Sequence, residues 1–220
     1  MEISKYIIFS LILIYVPLWL QISLFISSLG KGKKSMTIIK DEKISKIIWE
    51  KCKTKIDTVK ISESDLLFGM MIGIPGRPQL ILSRKLYESF NLDELEYVIL
   101  HEAGHYKLWH SIKELIEGII FFVLGLLLLS NFEGPLGVVI GIISGLFFGV
   151  LMIQIAKLKE IQADAYSLKR LSNPQGMIPA TNKFLKAWED KSSKNKLIRF
   201  LFYRGNPYEN RIRMAKEIRI

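Results

Sequence analysis

The sequence predicts an α+β chain, mainly helical, with one small sheet and about three transmembrane helices. Three observations carry that expectation. The runs Ile7 to Leu29 and Leu136 to Ala156 are almost uninterrupted by polar residues, and at about 1.5 Å per helical residue each crosses a hydrocarbon core of about 30 Å. A third, shorter run from Leu115 to Ser130 forms a hairpin with the second through Asn131-Phe132-Glu133-Gly134-Pro135, a segment with room for a turn and nothing more. Between the first run and this hairpin, alternating residues and Pro/Gly punctuation read as a few short strands among helical patterns.

Residues 1–30 read as an N-terminal anchor, because the apolar part is too long for a cleaved signal. The formal net charge of +10 is concentrated where membrane topology would put it: Lys31, Lys33, Lys34, Lys40 and Lys43 follow the first span, and Lys157 and Lys159 follow the last. That placement predicts a cytoplasmic face in contact with anionic lipid headgroups, in a multi-pass protein of the cell membrane. No aromatic residues interleave those lysines as a base-stacking groove requires, so no nucleic acid partner is expected. The lone cysteine, Cys52, excludes an internal disulfide.

From Asp41 to Lys53 the apolar residues Ile44, Ile47, Ile48 and Trp49 have the spacing of a short amphipathic helix. Residues 56–61 alternate as a strand, and 66–74 with 79–83 flank Pro75-Gly76-Arg77-Pro78 as a hairpin. Gly69 and Gly73 fit an edge or bulged strand. Two readings of that edge stand side by side: a place where an extended peptide adds as a strand, and a small sheet that closes the core.

Asn91-Leu92-Asp93-Glu94 is a helix start, a capping residue followed by first-turn acids. The helix then carries His101-Glu102-Ala103-Gly104-His105, the pattern H-E-x-x-H. Histidines at i and i+4 share one face and reach one tetrahedral Zn²⁺ as neutral imidazoles, while Glu102 faces the open position as a general base. The helix is expected to run on through Trp109 and His110 toward the next apolar run. On such a helix His110 points away from His101 and His105 and is read as an ordinary polar residue. Leu108 and Ser111 stand where a three-histidine zinc motif would have glycine and histidine.

The third ligand is therefore sought elsewhere. Directly after the last span, Glu160-Ile161-Gln162-Ala163-Asp164 places two acids on one helical face. Glu160 would complete a His₂Glu site holding one zinc per chain, and Asp164 would accept the outer N–H of a ligating histidine. Two bilayer crossings between His105 and Glu160 return both helices to one side. The catalytic region thus reads as residues 31–114 and 157–220, interrupted by the membrane hairpin 115–156. In the late segment Asn206-Pro207-Tyr208-Glu209-Asn210-Arg211-Ile212, Asn206 has an amide to offer a developing oxyanion, with Arg211 and Tyr208 as further candidates. The alternative is a plain turn before a final helix, Tyr208 to Ile218.

With H-E-x-x-H, a membrane hairpin, Glu160 to Asp164 and Asn206 to Ile212 in this order, the chain resembles the HtpX-like and CAAX prenyl protease family of membrane zinc endopeptidases over roughly residues 60–215. The resemblance implies a zincin-type metallopeptidase domain with zinc at His101, His105 and Glu160, a catalytic Glu102, and a substrate strand bound along an edge of the sheet. Two departures stand out: Asn206 replaces the family's usual histidine, and one span precedes the catalytic region where HtpX proteins usually have two. The function expected is cytoplasmic-side hydrolysis of membrane-associated or misfolded polypeptides, as in membrane protein quality control. The competing expectation is a zinc-binding membrane scaffold or sensor without proteolytic activity.

Overall fold

The computed structural model describes residues 36–74, 76–132, 134–188 and 205–217, so the expected first span lies outside the described residues. The chain divides into two compact units, Gly32–His110 with Ala156–Ile220, and Met1–Lys31 with Ser111–Ile155.

The first unit is built on a four-stranded mixed sheet, β1 (Met36–Ile39), β2 (Val59–Ser62), β3 (Gly69–Ile74) and β4 (Arg77–Ser83), in spatial order β1-β2-β4-β3. β1 is antiparallel to β2, β2 parallel to β4, and β3 antiparallel to β4 with Gly73 opposite Pro78. The hairpin needs its glycine: Gly73 has φ +130°, and a Cβ there would lie 2.3 Å from the Arg77 carbonyl oxygen. β1 was not anticipated, because four residues with two outward-facing side chains carry too little pattern.

Three helices cover this sheet and its surroundings. α1 (Glu42–Cys52) is capped by Asp41 and buries Ile44, Ile48 and Cys52, one residue per turn; Trp49 of the expected apolar face stays exposed. α2 (Arg84–Ser89) starts from the Ser83 hydroxyl. α3 (Leu92–Lys107) opens with a full capping box, Asn91 and Glu94 each accepting from the other's backbone N–H at 3.0 and 2.7 Å. Val59, Ile61, Leu80, Leu82, Leu86, Ile99 and Leu100 are almost wholly buried, so α3 is anchored in the core directly before its histidines.

α3 does not continue into the next helix, contrary to expectation. It ends at Lys107, Leu108 caps it, Trp109 adopts a left-handed backbone with φ +60°, and α4 (His110–Leu129) begins anew. No glycine or proline marks the break. A bulky residue in that conformation costs about 1–3 kcal/mol. What offsets the cost is the burial of His110, which is 1 % exposed and hydrogen-bonded through both ring nitrogens.

α5 (Gly134–Leu168) is a single helix of 35 residues, apolar up to Ala156 and charged from Lys157. Among the described residues it is the one helix long and apolar enough to cross a membrane. α4 carries Lys113, Glu114 and Glu117 in its first half and is more charged than such a helix, so among the described residues one candidate membrane helix stands where two of the three expected spans fall. The second unit's α4 and α5 residues expose Leu115, Ile119, Leu127, Ile143, Leu146 and Phe147. After α5 come a 3₁₀ turn (Pro174–Gly176), α6 (Met177–Trp188) and α7 (Tyr208–Glu217), the last close to its expected position.

Candidate metal centre

Every residue of the candidate centre lies in the first unit, on α3, the start of α4, the charged end of α5, and α7 with the turn before it. α3 and α5 approach closely because Gly104 has no side chain: a Cβ there would sit 3.2 Å from both the Ala163 Cα and Tyr166. That contact brings two residues of one helix against a third from the other. His101 Nε2 and His105 Nε2 are 3.1 Å apart, Glu160 Oε2 stands 3.5 Å from the first, and Glu160 Oε1 stands 3.3 Å from the second.

These three donors fit a zinc ion. Bonds of about 2.0–2.1 Å at tetrahedral angles put ligand atoms about 3.3 Å apart, and the nitrogen–nitrogen separation and the nitrogen–oxygen separations, one to each Glu160 oxygen, lie around that value. They leave one tetrahedral vertex uncovered by this set, the arrangement of a catalytic rather than a structural site. Among the described residues, His101, His105 and Glu160 form the group of donors able to hold a metal.

Asp164 organises the surroundings of the centre. It is fully buried, and its two oxygens accept four hydrogen bonds. Oδ1 accepts from His101 Nδ1 at 2.7 Å and Tyr97 Oη at 2.8 Å; Oδ2 accepts from Asn206 Nδ2 at 2.7 Å and Arg211 Nε at 2.9 Å. The bond from His101 Nδ1 turns its Nε2 to the cluster, where a bound metal would replace the Nε2 proton. Arg211 also donates to Glu160 Oε2 at 3.2 Å, so one guanidinium ties the ligating carboxylate to the orienting one.

The late segment thus meets the cluster through Arg211 and Asn206. The Asn206 amide nitrogen is committed to Asp164 and its oxygen accepts from Asn210 at 2.7 Å, so this side chain supports the centre from behind instead of offering a donor to a reacting carbonyl. Tyr208 is the first residue of α7. Glu102 follows His101 on α3 and accepts a hydrogen bond from the Met71 backbone on β3. A Cβ on Gly69 of the same strand would meet Val98 at 3.0 Å and Glu102 at 3.4 Å.

The electrostatics follow from these contacts. Burial pushes the Glu102 carboxyl up, against the pull of the nearby histidines. For His101 burial opposes the charged ring, but Asp164 and Glu160 outweigh it and carry the metal-free imidazole up to about 10. Burial likewise opposes ionisation of Glu160 and Asp164. Hydrogen bonds from both histidines hold Glu160 far below the usual carboxylate range, and the charges of His101 and Arg211 do so for Asp164.

His110 corrects the expectation of an ordinary polar residue. The break at Trp109 turns it back toward α3, where its Nδ1 lies 2.9 Å from His105 Nδ1 and its Nε2 lies 3.1 Å from Gln162 Oε1. Tyr97 and Gln162 were also passed over. Tyr97 lies one turn before His101, so the signal for it was its place on the histidine face.

The family model for peptidase family M48 matches residues 50–219. No curated protein matches the chain. The crystal structure of S. mikatae Ste24p is similar, with a TM-score of 0.64 at 17 % sequence identity over 97 % of this chain and 62 % of that one. The chain therefore spans less than two thirds of that protein's length, and at this identity the likeness is one of fold.

Proposed function

The chain belongs to peptidase family M48, and from that premise we propose that it is an integral membrane zinc endopeptidase in which His101, His105 and Glu160 hold one Zn²⁺ and Glu102 transfers the protons. The observation that supports this reading best is the donor cluster, two Nε2 atoms and one carboxylate close enough to meet one ion. A zinc ion bound there supplies Lewis acidity to a water molecule and to the peptide carbonyl.

The chain's own residues do the remainder. Glu102 accepts a proton from the attacking water and returns it to the leaving amine nitrogen. Its raised pKa favours the return, because a desolvated carboxylate holds a proton more readily. Asp164 keeps His101 in one tautomer, and Arg211 keeps the Glu160 carboxylate from turning away. β3, last in the sheet order among the described residues, offers an edge along which an extended polypeptide would add, next to Glu102 through Met71.

The remaining parts of the reading rest on sequence. The apolar runs 7–29 and 115–130 complete three spans with α5, the flanking lysines put the catalytic unit on the cytoplasmic side against anionic headgroups, and the substrates are membrane-tethered or partly unfolded polypeptides. One experiment separates this reading from a zinc-binding scaffold. The full chain purified in detergent is expected to carry one zinc and to cleave casein, and Glu102→Gln is expected to keep the zinc and lose the cleavage. Native protein that is metal-replete and inert would refute the peptidase and leave the scaffold.

A further inference from the structure

Metal-ligating histidines commonly donate their outer N–H to a fixed acceptor, which selects the tautomer able to ligate. His101 uses Asp164 for this, whereas the outer nitrogen of His105 meets another imidazole, that of His110. Two neutral imidazoles facing each other through Nδ1 share one proton, so one ring donates and the other accepts. Which one donates is decided at the far end. Gln162 presents its amide oxygen to His110 Nε2, and an oxygen can only accept.

The proton pattern follows step by step. His110 Nε2 carries its proton and gives it to Gln162 Oε1, so His110 Nδ1 is bare. His105 Nδ1 must then carry the proton between the rings, which leaves His105 Nε2 bare and turned toward His101 and Glu160. Reversing the amide would reverse every link and aim an N–H of His105 at the site.

We infer that His110 is a positioning residue, which with Gln162 holds His105 in the tautomer whose Nε2 lone pair faces the metal centre. This rests on the zinc site proposed above and adds a function for the backbone break at Trp109, since an unbroken helix would carry His110 off this face. His110 acts through His105 and does not touch substrate.

The test compares His110→Asn with His110→Leu in the full-length, detergent-solubilised chain. The two replacements have the same branching and size, but Asn places an oxygen near the former Nδ1 position and Leu places a methyl group there. Zinc affinity is read by competition with a chromophoric chelator. His110→Leu is expected to weaken binding by about 10–100-fold, and His110→Asn to recover most of that loss. Gln162→Glu, which keeps an acceptor, is expected to bind as the native chain does, and Gln162→Leu more weakly. The chain has three histidines, so ¹⁵N-histidine correlation spectra of the zinc-loaded protein give a second reading, expected to show His110 protonated at Nε2 and bare at Nδ1.

Equal affinity in the native chain and His110→Leu overturns the inference and leaves the zinc site standing. So does equal weakening by Leu and Asn, which marks a packing role, and so does a His110 protonated at Nδ1 alone. A native chain that binds no zinc overturns the site reading itself.

Discussion

Asp164→Asn is the substitution that most directly tests how the centre is held together. The carboxylate is fully buried and accepts from four donors, two on α3 and two from the segment around α7. The amide preserves shape but replaces one oxygen with an NH₂ group. Whichever oxygen is lost, two donors then face a donor, and Arg211, itself largely buried, keeps only Glu160 as an anionic partner. Charge-assisted hydrogen bonds contribute about 1.5–3 kcal/mol each, and removing one partner of a buried ion pair costs about 3–5 kcal/mol. The two figures agree for the loss of two such bonds, and 3–5 kcal/mol corresponds to about 6–20 °C in Tm for a chain of this size. The assay is tryptophan fluorescence during thermal unfolding in detergent with a chelator present, so that lost metal affinity does not enter. Breaking the exposed pair Lys46–Glu50, at 3.8 Å on α1, serves as a control expected to shift the melt hardly at all. An Asp164→Asn melt within 2 °C of native, roughly under 1 kcal/mol, would refute the view that this carboxylate organises the centre.

Zinc binding near neutral pH should release about one proton per ion, because the metal-free His101 titrates near 10 and must be neutral to ligate; calorimetry in buffers of different ionisation enthalpy reads this, and buffer-independent heats would contradict it. Glu160 and Asp164 have folded-state pKa values below their unfolded ones. The stability they contribute is therefore complete above the ordinary carboxylate range, about pH 4, and is lost as pH falls below it. A metal-free chain whose urea midpoint stays flat from pH 6 to pH 3 would exclude that linkage. Gly104→Val should destabilise the chain by about 1–3 kcal/mol and weaken zinc binding, since the added atoms meet the Ala163 backbone between the two ligand-bearing helices; unchanged zinc affinity would show that this close approach is not needed. Glu160→Ala should bind zinc at least tenfold more weakly than native, and retained affinity would remove it from the ligand set.

Much of this architecture was legible because it is periodic or capped. The capping box at Asn91 and Glu94 fixed where α3 begins, and the i, i+4 pair of histidines fixed which face carries the donors. Glu160 and Asp164 could be paired with them because the apolar hairpin demands a return to the same side. The break at Leu108 and Trp109 was illegible for a physical reason: residues 106–109 are Tyr, Lys, Leu and Trp, none with a local preference against helix strong enough to announce a stop. Tertiary burial of His110 decides it, and a wheel drawn through a helix that does not exist sends that residue the wrong way. The role of Asn206 stayed open for a similar reason. Its chemistry admits donation to an oxyanion, but proximity to Asp164 across 42 residues of chain is a fact of the fold alone.

Asp164 gathers its partners from both directions along the polypeptide, His101 at 63 residues before it and Arg211 at 47 after it. Closing loops of that size is slow and entropically costly, so the donor cluster belongs to the late stages of folding. A chain cut short before Arg211 would own every metal donor yet lack the cation that restrains Glu160.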